Sequence, residues 1–188
     1  MDNPLSKATF SLLVANVRSC YYAATQYPSM LQSGLDWYTE ANLQAAQIAK
    51  RNNLDIYTVV GAIAALSPSN KWERNLVDAE LAIKVAIRGG SATDFKASTY
   101  PANKEKAVAI IKGALPLDIL GGNKVRAFYQ NILNPKDNWV VTIDGHATAI
   151  ALGQRFPLEK APTLSDKTYR LLANAYRQAT FEINTDSL

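Results

Sequence analysis

The stretch Gly121–Ala151, GGNKVRAFYQNILNPKDNWVVTIDGHATAIA, holds the clearest structural signals of the chain. Two adjacent glycines stand ahead of a segment whose apolar residues recur at helical spacing, and Asn134-Pro135 ends that segment. A short extended run then leads to Asp144-Gly145-His146, which stands where another helix begins. The stretch therefore predicts a turn, a helix, a short extended segment and a second helix.

The rest of the chain shows the same helical period. Leu54–Leu66 is apolar over so wide an arc that we expect it to be a buried, central helix. Glycine, proline and Ser-Asp signals separate further helices on both sides of it. Only Trp139–Thr142 indicates an extended conformation, and it is too short to found a sheet. The sequence predicts an all-α fold of about nine helices with negligible β structure.

Length and composition are those of one folded unit. With 188 residues, 48% of them hydrophobic and 19% charged, the chain can bury one sizeable core. We expect a single domain, 1–188, in which 54–153 forms the core that bears the motifs. The helices of 1–53 and 154–188 are then expected to pack on that core.

Several classes of protein are disfavoured by composition. No apolar run reaches the roughly 18 residues that span a bilayer, and the first residues do not resemble a signal peptide, so we expect a cytoplasmic protein without membrane contact. Cys20 is the sole cysteine, which excludes an internal disulfide and a cysteine-held metal centre; we expect no cofactor and no metal. The net charge of +4 favours a phosphate-rich partner only slightly.

The residues around the two helix starts can carry chemistry. Gly121 and Gly122 permit a tight turn whose amides face outward and can hold a phosphate, although such a pair also serves as a plain helix connection. Lys124 follows this turn, and Asp144 comes twenty positions later. Taken singly, they are typical of a solvated helical lysine and a helix N-cap, and His146 is typical of a hydrogen-bonded core histidine. The combination of the glycine pair, Lys124, Asp144 and His146 at these separations is much less common than any one of these features alone.

This set resembles the helix-hairpin-helix (HhH-GPD) DNA glycosylase superfamily, which includes endonuclease III and the 8-oxoguanine glycosylases. Members carry a hairpin ending in Gly-x-Lys, then a helix, then an Asp-x-His triplet. The matching residues here are Gly122-Asn123-Lys124 and Asp144-Gly145-His146. Ala65-Leu66-Ser67-Pro68 with Asn75, and Lys106-Ala107 ahead of the hairpin, are also similar to the family. The resemblance extends over about half the chain, Leu54 to Gly153.

The resemblance implies a base-excision glycosylase that cleaves the N-glycosidic bond of a flipped-out damaged or modified base. In that reaction the carboxylate of Asp144 stabilises the positive charge that develops on the sugar. The amine of Lys124 attacks C1′, forms a Schiff base and allows strand cleavage as an AP lyase. His146 has a structural role in orienting the loop of Asp144.

The resemblance also implies the partner and its contacts. We expect a monomer bound to double-stranded DNA in a bacterial or phage-infected cell. The hairpin and the loop that fills the gap in the base stack would contact DNA through Gly121, Gly122, Asn123, Ser69, Asn70 and Lys71. The base pocket or its structural support would come from His146, Trp72, Tyr21 and Trp37.

Two other functions remain open at this point. The first is a DNA base-modifying transferase of the kind found in phages, which resembles glycosylases and acts on 5-hydroxymethyluracil-derived bases without releasing them. The second is a helix-hairpin-helix module that binds DNA without catalysis, with strong salt dependence.

Overall fold

The computed structural model describes residues 8–157 and 160–186 of the chain. Within these residues it contains nine α-helices and no β-strand, which confirms the predicted all-α class. None of the described helices combines the length and the apolar character of a bilayer-spanning segment. The helices are α1 (Phe10–Ala24), α2 (Pro28–Asn52), α3 (Ile56–Leu66), α4 (Trp72–Ile87), α5 (Pro101–Ile111), α6 (Pro116–Ile119), α7 (Asn123–Leu133), α8 (Gly145–Leu152) and α9 (Asp166–Asp186), with a 3₁₀ turn at Ala92–Asp94.

Local signals set most of the helix ends. Asp55 caps α3 by accepting a hydrogen bond from the Thr58 N–H at 2.7 Å. Gly153 ends α8 in the left-handed conformation, at φ 63°. The helix α2 begins at Pro28. Proline suits the first turn of a helix, where its missing N–H has no partner to lose.

The helix α6 was not predicted. It has only four residues, too few to show a helical period, and it begins at Pro116. It matters because it is the first helix of the helix–turn–helix arrangement α6–α7, which the residues 120–122 connect.

The chain divides into two compact units, which we call the central unit (Trp37–Lys136) and the terminal unit (Met1–Asp36 with Asp137–Leu188). The prediction of a single 1–188 domain stays a prediction. In the central unit, α3 contacts α4, α5, α6 and α7. Its residues Val59, Val60, Ile63 and Leu66 are completely buried, as expected for the central helix.

The terminal unit contains α1, the part of α2 up to Asp36, α8 and α9. Leu13 of α1 and Leu172 of α9 are completely buried in its core. The side-chain amide of Asn16 donates to the carbonyl of Ala151 at 2.9 Å and so ties α1 to the end of α8. Arg18 links α1 to α9 through an ion pair with Glu182 at 2.8 Å.

Candidate functional site

The turn between α6 and α7 is shaped by a buried leucine and a glycine. Leu120 is 1% exposed and anchors the turn in the core of the central unit. Gly122 lies at φ 75° and ψ 142°, a backbone conformation that side-chain-bearing residues rarely adopt. It occupies the N-cap position of α7, and no side chain caps this helix. The N-terminus of α7 therefore carries the partial positive charge that favours an anion.

Three cationic side chains surround this turn. The Nζ of Lys106 lies 3.8 Å from the point where a β-carbon on Gly121 would stand. The Nε of Arg126 donates to the carbonyl of Leu120 at 2.7 Å and closes the turn. Lys124 is exposed on the first turn of α7. Within residues 8–157 and 160–186, Lys106 and Lys124 make no hydrogen bond or ion pair, so both ammonium groups are available to a ligand.

The loop 67–71, predicted to fill a gap in DNA, belongs to the same unit as the turn. Ser69 is exposed and adopts φ 61°, which is uncommon for a residue with a side chain. Lys71 is also exposed, at the N-cap position of α4. Asn70 is only partly exposed, because its side-chain amide donates inward to Asp78 at 3.0 Å. Ser69 and Lys71 are therefore the exposed members of this loop.

The aromatic residues predicted to line a base pocket fall into two groups. Trp37 and Trp72 join Tyr38 and Phe128 in the central unit, with ring centroids 4.9 Å apart for the two tryptophans. These rings pack on one another and on the core, so they support the fold around Trp72 and leave no slot between the two indoles. Tyr21 belongs to the terminal unit, where it contacts Tyr22.

Asp144 caps α8 in the terminal unit. Its Oδ1 accepts from the Ala147 N–H at 2.8 Å, and its carbonyl accepts from the Thr148 hydroxyl at 2.7 Å. Thr148 is 1% exposed, so this second bond is shielded from water. The other carboxylate oxygen of Asp144, Oδ2, accepts no hydrogen bond from the part of the chain that the structure describes. It is the atom with which Asp144 can act on a ligand.

Side chains of α9 hold the extended segment that leads to Asp144. The Tyr169 hydroxyl accepts from the Ile143 N–H at 3.0 Å and donates to the Val141 carbonyl at 2.9 Å. The Nε of Arg177 donates to the Trp139 carbonyl at 2.7 Å. These bonds take the place of those that a neighbouring strand would supply, because the segment between α7 and α8 belongs to no sheet.

The start of α8 is held by a second tyrosine of α9. Tyr176 donates to the Ala147 carbonyl at 2.8 Å. Burial raises the pKa of the Tyr176 phenol, and the neighbouring Cys20 and Asp144 add to the shift, so the phenol stays a neutral donor. His146, predicted to orient this loop, is exposed, and it makes no hydrogen bond to a described residue. The orienting contacts come from Thr148, Tyr169 and Tyr176 instead.

One family matches nearly the whole chain, over residues 2–187: "Family of unknown function (DUF7178)". The chain belongs to the DUF7178 family. No curated protein and no solved structure matches it.

Charge is unevenly divided over this DUF7178 chain. The central unit holds thirteen lysines and arginines against eight acidic residues, a net charge of +5. The terminal unit holds seven against eight, a net charge of −1, and the two values add to the +4 of the chain. The whole basic excess therefore lies in the unit that carries the glycine turn. No group of three or more His, Cys, Asp or Glu side chains among the described residues is arranged to hold a metal ion.

Of the predicted residues, the structure brings the turn, Lys124, the loop 67–71 and the two tryptophans into the central unit, while Asp144, His146 and Tyr21 belong to the terminal unit. Sequence reasoning missed the roles of Arg126, Thr148 and Tyr176. The hydrogen bonds of Tyr169 and Tyr176 were not predicted, because helical periodicity indicates which side chains are buried and does not indicate which group a hydroxyl bonds. Lys106 had a signal, its place before the hairpin in the resembling segment.

Proposed function

We propose that this DUF7178 chain is a DNA base-excision glycosylase that grips double-stranded DNA through the turn of its central unit. The observation that carries the proposal is the uncapped N-terminus of α7 with Lys106, Lys124 and Arg126 around it. The assignment of the chemistry rests on the resemblance of Gly122-Asn123-Lys124 and Asp144-Gly145-His146 to the glycosylase motifs.

The turn suits a DNA backbone for electrostatic reasons. Phosphate oxygens accept hydrogen bonds from the N–H groups at a helix N-terminus, and cations beside them release condensed counterions from the DNA. The charge of +5 on the central unit adds a long-range attraction for the duplex. We therefore propose that DNA docks on the central unit as one chain per site, with the loop 67–71 directed to the base stack.

The chemistry assigned to Asp144 and Lys124 is bond cleavage at C1′ of an extruded nucleotide. As the bond from C1′ to the base nitrogen breaks, positive charge develops on the sugar, and the carboxylate of Asp144 stabilises it. The neutral amine of Lys124 forms a bond to C1′, and the base leaves with the electron pair of the broken bond and a proton. The nitrogen lone pair then opens the C1′–O4′ bond of the sugar, O4′ takes up a proton, and an iminium between C1′ and Lys124 remains. Loss of a C2′ proton from this iminium releases the 3′ phosphate by β-elimination.

The proposal requires the amine of Lys124 to be neutral when it reacts. Its side chain is exposed in the free chain, whereas a nucleophilic amine has to be neutral, a state that burial favours. We therefore assign the burial of Lys124 to the docked complex. Lys124 belongs to the central unit and Asp144 to the terminal unit.

Borohydride trapping tests this function. Wild type, Lys124→Ala and Asp144→Asn are incubated with duplexes that each carry one damaged or modified base, and free base and covalent adduct are measured. We expect wild type to release one class of base and to form an adduct that Lys124→Ala does not form. The proposal fails if wild type yields neither free base nor adduct on any duplex of the panel. An altered nucleoside without base release, detected by mass spectrometry, would assign the transferase reaction instead.

A second function is favoured by two features of the site. Lys124 is exposed, and Asp144 already uses Oδ1 to cap α8. An exposed Lys124 and a helix-capping Asp144 are compatible with a module that binds DNA without catalysis. Such a module would bind duplex DNA with strong salt dependence, and Asp144→Asn would leave its biological activity unchanged.

A further inference from the structure

Asp78 is a completely buried carboxylate that the proposed chemistry does not use. It lies on the inner face of α4, and its side chain is 0% exposed. A carboxylate withdrawn from water is tolerated only when charged or polar donors satisfy its oxygens. The identity of those donors therefore indicates what this residue does in the central unit.

The donors come from three separate segments. The Nε of Arg74, one turn earlier on α4, donates to Oδ1 at 2.7 Å. The side-chain amide of Asn70, in the loop 67–71, donates to Oδ2 at 3.0 Å. The backbone N–H of Ser98, in the segment before α5, donates to the same oxygen at 2.8 Å. One carboxylate oxygen thus joins two loops that are distant in sequence.

Further bonds couple the same two loops. The Thr99 hydroxyl donates to the Pro68 carbonyl at 2.9 Å, and the Ser69 hydroxyl reaches the phenol of Tyr100 at 3.4 Å. Between these bonds Ser69 holds its left-handed backbone conformation at φ 61°. A residue with a side chain keeps such a conformation only where its surroundings impose it. The exposed tip of the loop therefore depends on the anchoring of Asn70 at its inner end.

We infer that Asp78 is the positioning residue of the loop 67–71: its buried carboxylate holds Asn70 and Ser98 so that Ser69 is presented to the gap that an extruded base leaves in a duplex. The inference rests on the proposed function, since it takes the base stack of DNA as the partner of this loop. Phosphate contacts at the turn before α7 are a separate part of the interface and do not pass through Asp78.

The test compares two duplexes of the same sequence, one intact and one with a tetrahydrofuran abasic-site analogue. Their affinities are measured by fluorescence anisotropy for wild type, Asp78→Ala, which removes both acceptor oxygens, and the matched control Arg74→Gln. We expect wild type to prefer the abasic duplex and Asp78→Ala to lose about tenfold of that preference, the loss typical of one well-placed contact. Affinity for the intact duplex should stay unchanged in Asp78→Ala.

The control separates positioning from stability. Arg74→Gln removes the donor of α4 and leaves both loop donors in place, so it should lower the midpoint of thermal unfolding and keep the preference for the abasic duplex. Should Asp78→Ala fail to fold, Asn70→Ala breaks the same bond from the loop side and should show the same loss of preference.

The outcomes distinguish the inference from the function it rests on. A wild type that excises bases, combined with folded Asp78→Ala and Asn70→Ala variants that keep the full preference, would overturn the positioning role and leave the glycosylase in place. A wild type that binds neither duplex would overturn the proposed function and the positioning role together.

Discussion

The hydroxyl of Tyr169 accepts a hydrogen bond from the backbone N–H of Ile143 at 3.0 Å, across 26 residues of chain. Ile143 is 2% exposed, so this N–H has no access to water. The same hydroxyl donates to the carbonyl of Val141 and so satisfies one N–H and one carbonyl of the segment between α7 and α8. The phenol of Tyr169 therefore makes the kind of hydrogen bonds that a neighbouring strand makes in a β-sheet. These bonds fix the position of the segment that leads to Asp144.

Replacing Tyr169 with phenylalanine should destabilise the terminal unit. The substitution leaves the N–H of Ile143 buried without a partner, which costs roughly 1–3 kcal/mol. Urea denaturation would measure the loss. The control is Tyr27→Phe at a tyrosine that is 64% exposed, which should change the unfolding free energy by less than about 0.5 kcal/mol. Equal effects of the two substitutions would contradict the role of the Tyr169 hydroxyl.

Substitutions of Asp144 should separate its role as the N-cap of α8 from its proposed role in base excision. Asparagine caps a helix about as well as aspartate, so Asp144→Asn should keep the unfolding free energy within about 0.5 kcal/mol, whereas Asp144→Ala should lose about 1 kcal/mol. Both should lose excision activity, by about 100- to 1,000-fold for the asparagine variant, because neither carries a charge to stabilise the sugar cation. Thermal unfolding and single-turnover excision assays measure the two effects. A fully active Asp144→Asn would remove Asp144 from the reaction.

The two glycines of the turn should respond differently to alanine. Gly122 has φ 75°, so a β-carbon there strains the backbone, and Gly122→Ala should cost about 1–3 kcal/mol. A β-carbon on Gly121 would meet only the Nζ of Lys106 at 3.8 Å, an ordinary contact distance. Gly121→Ala should therefore fold with nearly wild-type stability. Chemical denaturation measures the unfolding free energy of both variants. Equal values for Gly121→Ala and Gly122→Ala would contradict the strain expected at Gly122.

A contact between Lys106 and DNA should release one counterion from the DNA. If its ammonium contacts a phosphate at the turn, Lys106→Gln lowers the slope of log affinity against log salt by about 0.9 for duplex DNA. The matched control is Lys167→Gln, an exposed lysine in the terminal unit, whose net charge is −1. It should leave the slope unchanged. Binding isotherms over a range of salt concentrations test this, and equal slopes for wild type and Lys106→Gln would place the phosphate elsewhere.

Stability should fall at alkaline pH because of Tyr176. Burial raises the pKa of this phenol above its ordinary value of 10.0, so the folded chain retains a proton that the unfolded chain releases. The stabilisation is complete below pH 10.0 and is lost as pH rises beyond it, by up to about 1.4 kcal/mol per pH unit. Burial also raises the pKa of Tyr129, which adds to the loss. Urea titrations should show a shallower decline for Tyr176→Phe than for wild type; identical declines would contradict the assignment.

Local signals in the sequence were enough to predict the all-α class and most helix ends. Asp55, Asp144 and Gly153 act on backbone groups within one turn of themselves, so their effect can be predicted from neighbours in the chain. The buried character of α3 was predictable for the same reason, because a helix that is apolar on all sides has to be covered. The start of α2 at Pro28 and the short α6 were missed where the signal was a single proline.

The candidate site was predictable only in part. The turn at Gly122 and the cap at Asp144 follow from residue type and spacing. The ammonium of Lys106 beside Gly121 depends on how α5 lies against the turn, which no local pattern specifies.

The sequence by itself determined the all-α class, the caps at Asp144 and Gly153 and the buried character of α3, since these arise from groups a few residues apart. Only the tertiary structure decided that Tyr169 bonds Ile143 and that Asp78 bonds Ser98, twenty residues away. A hydroxyl or carboxylate in a sequence can be satisfied by many donors. Packing of the helices decides which one lies within hydrogen-bond distance.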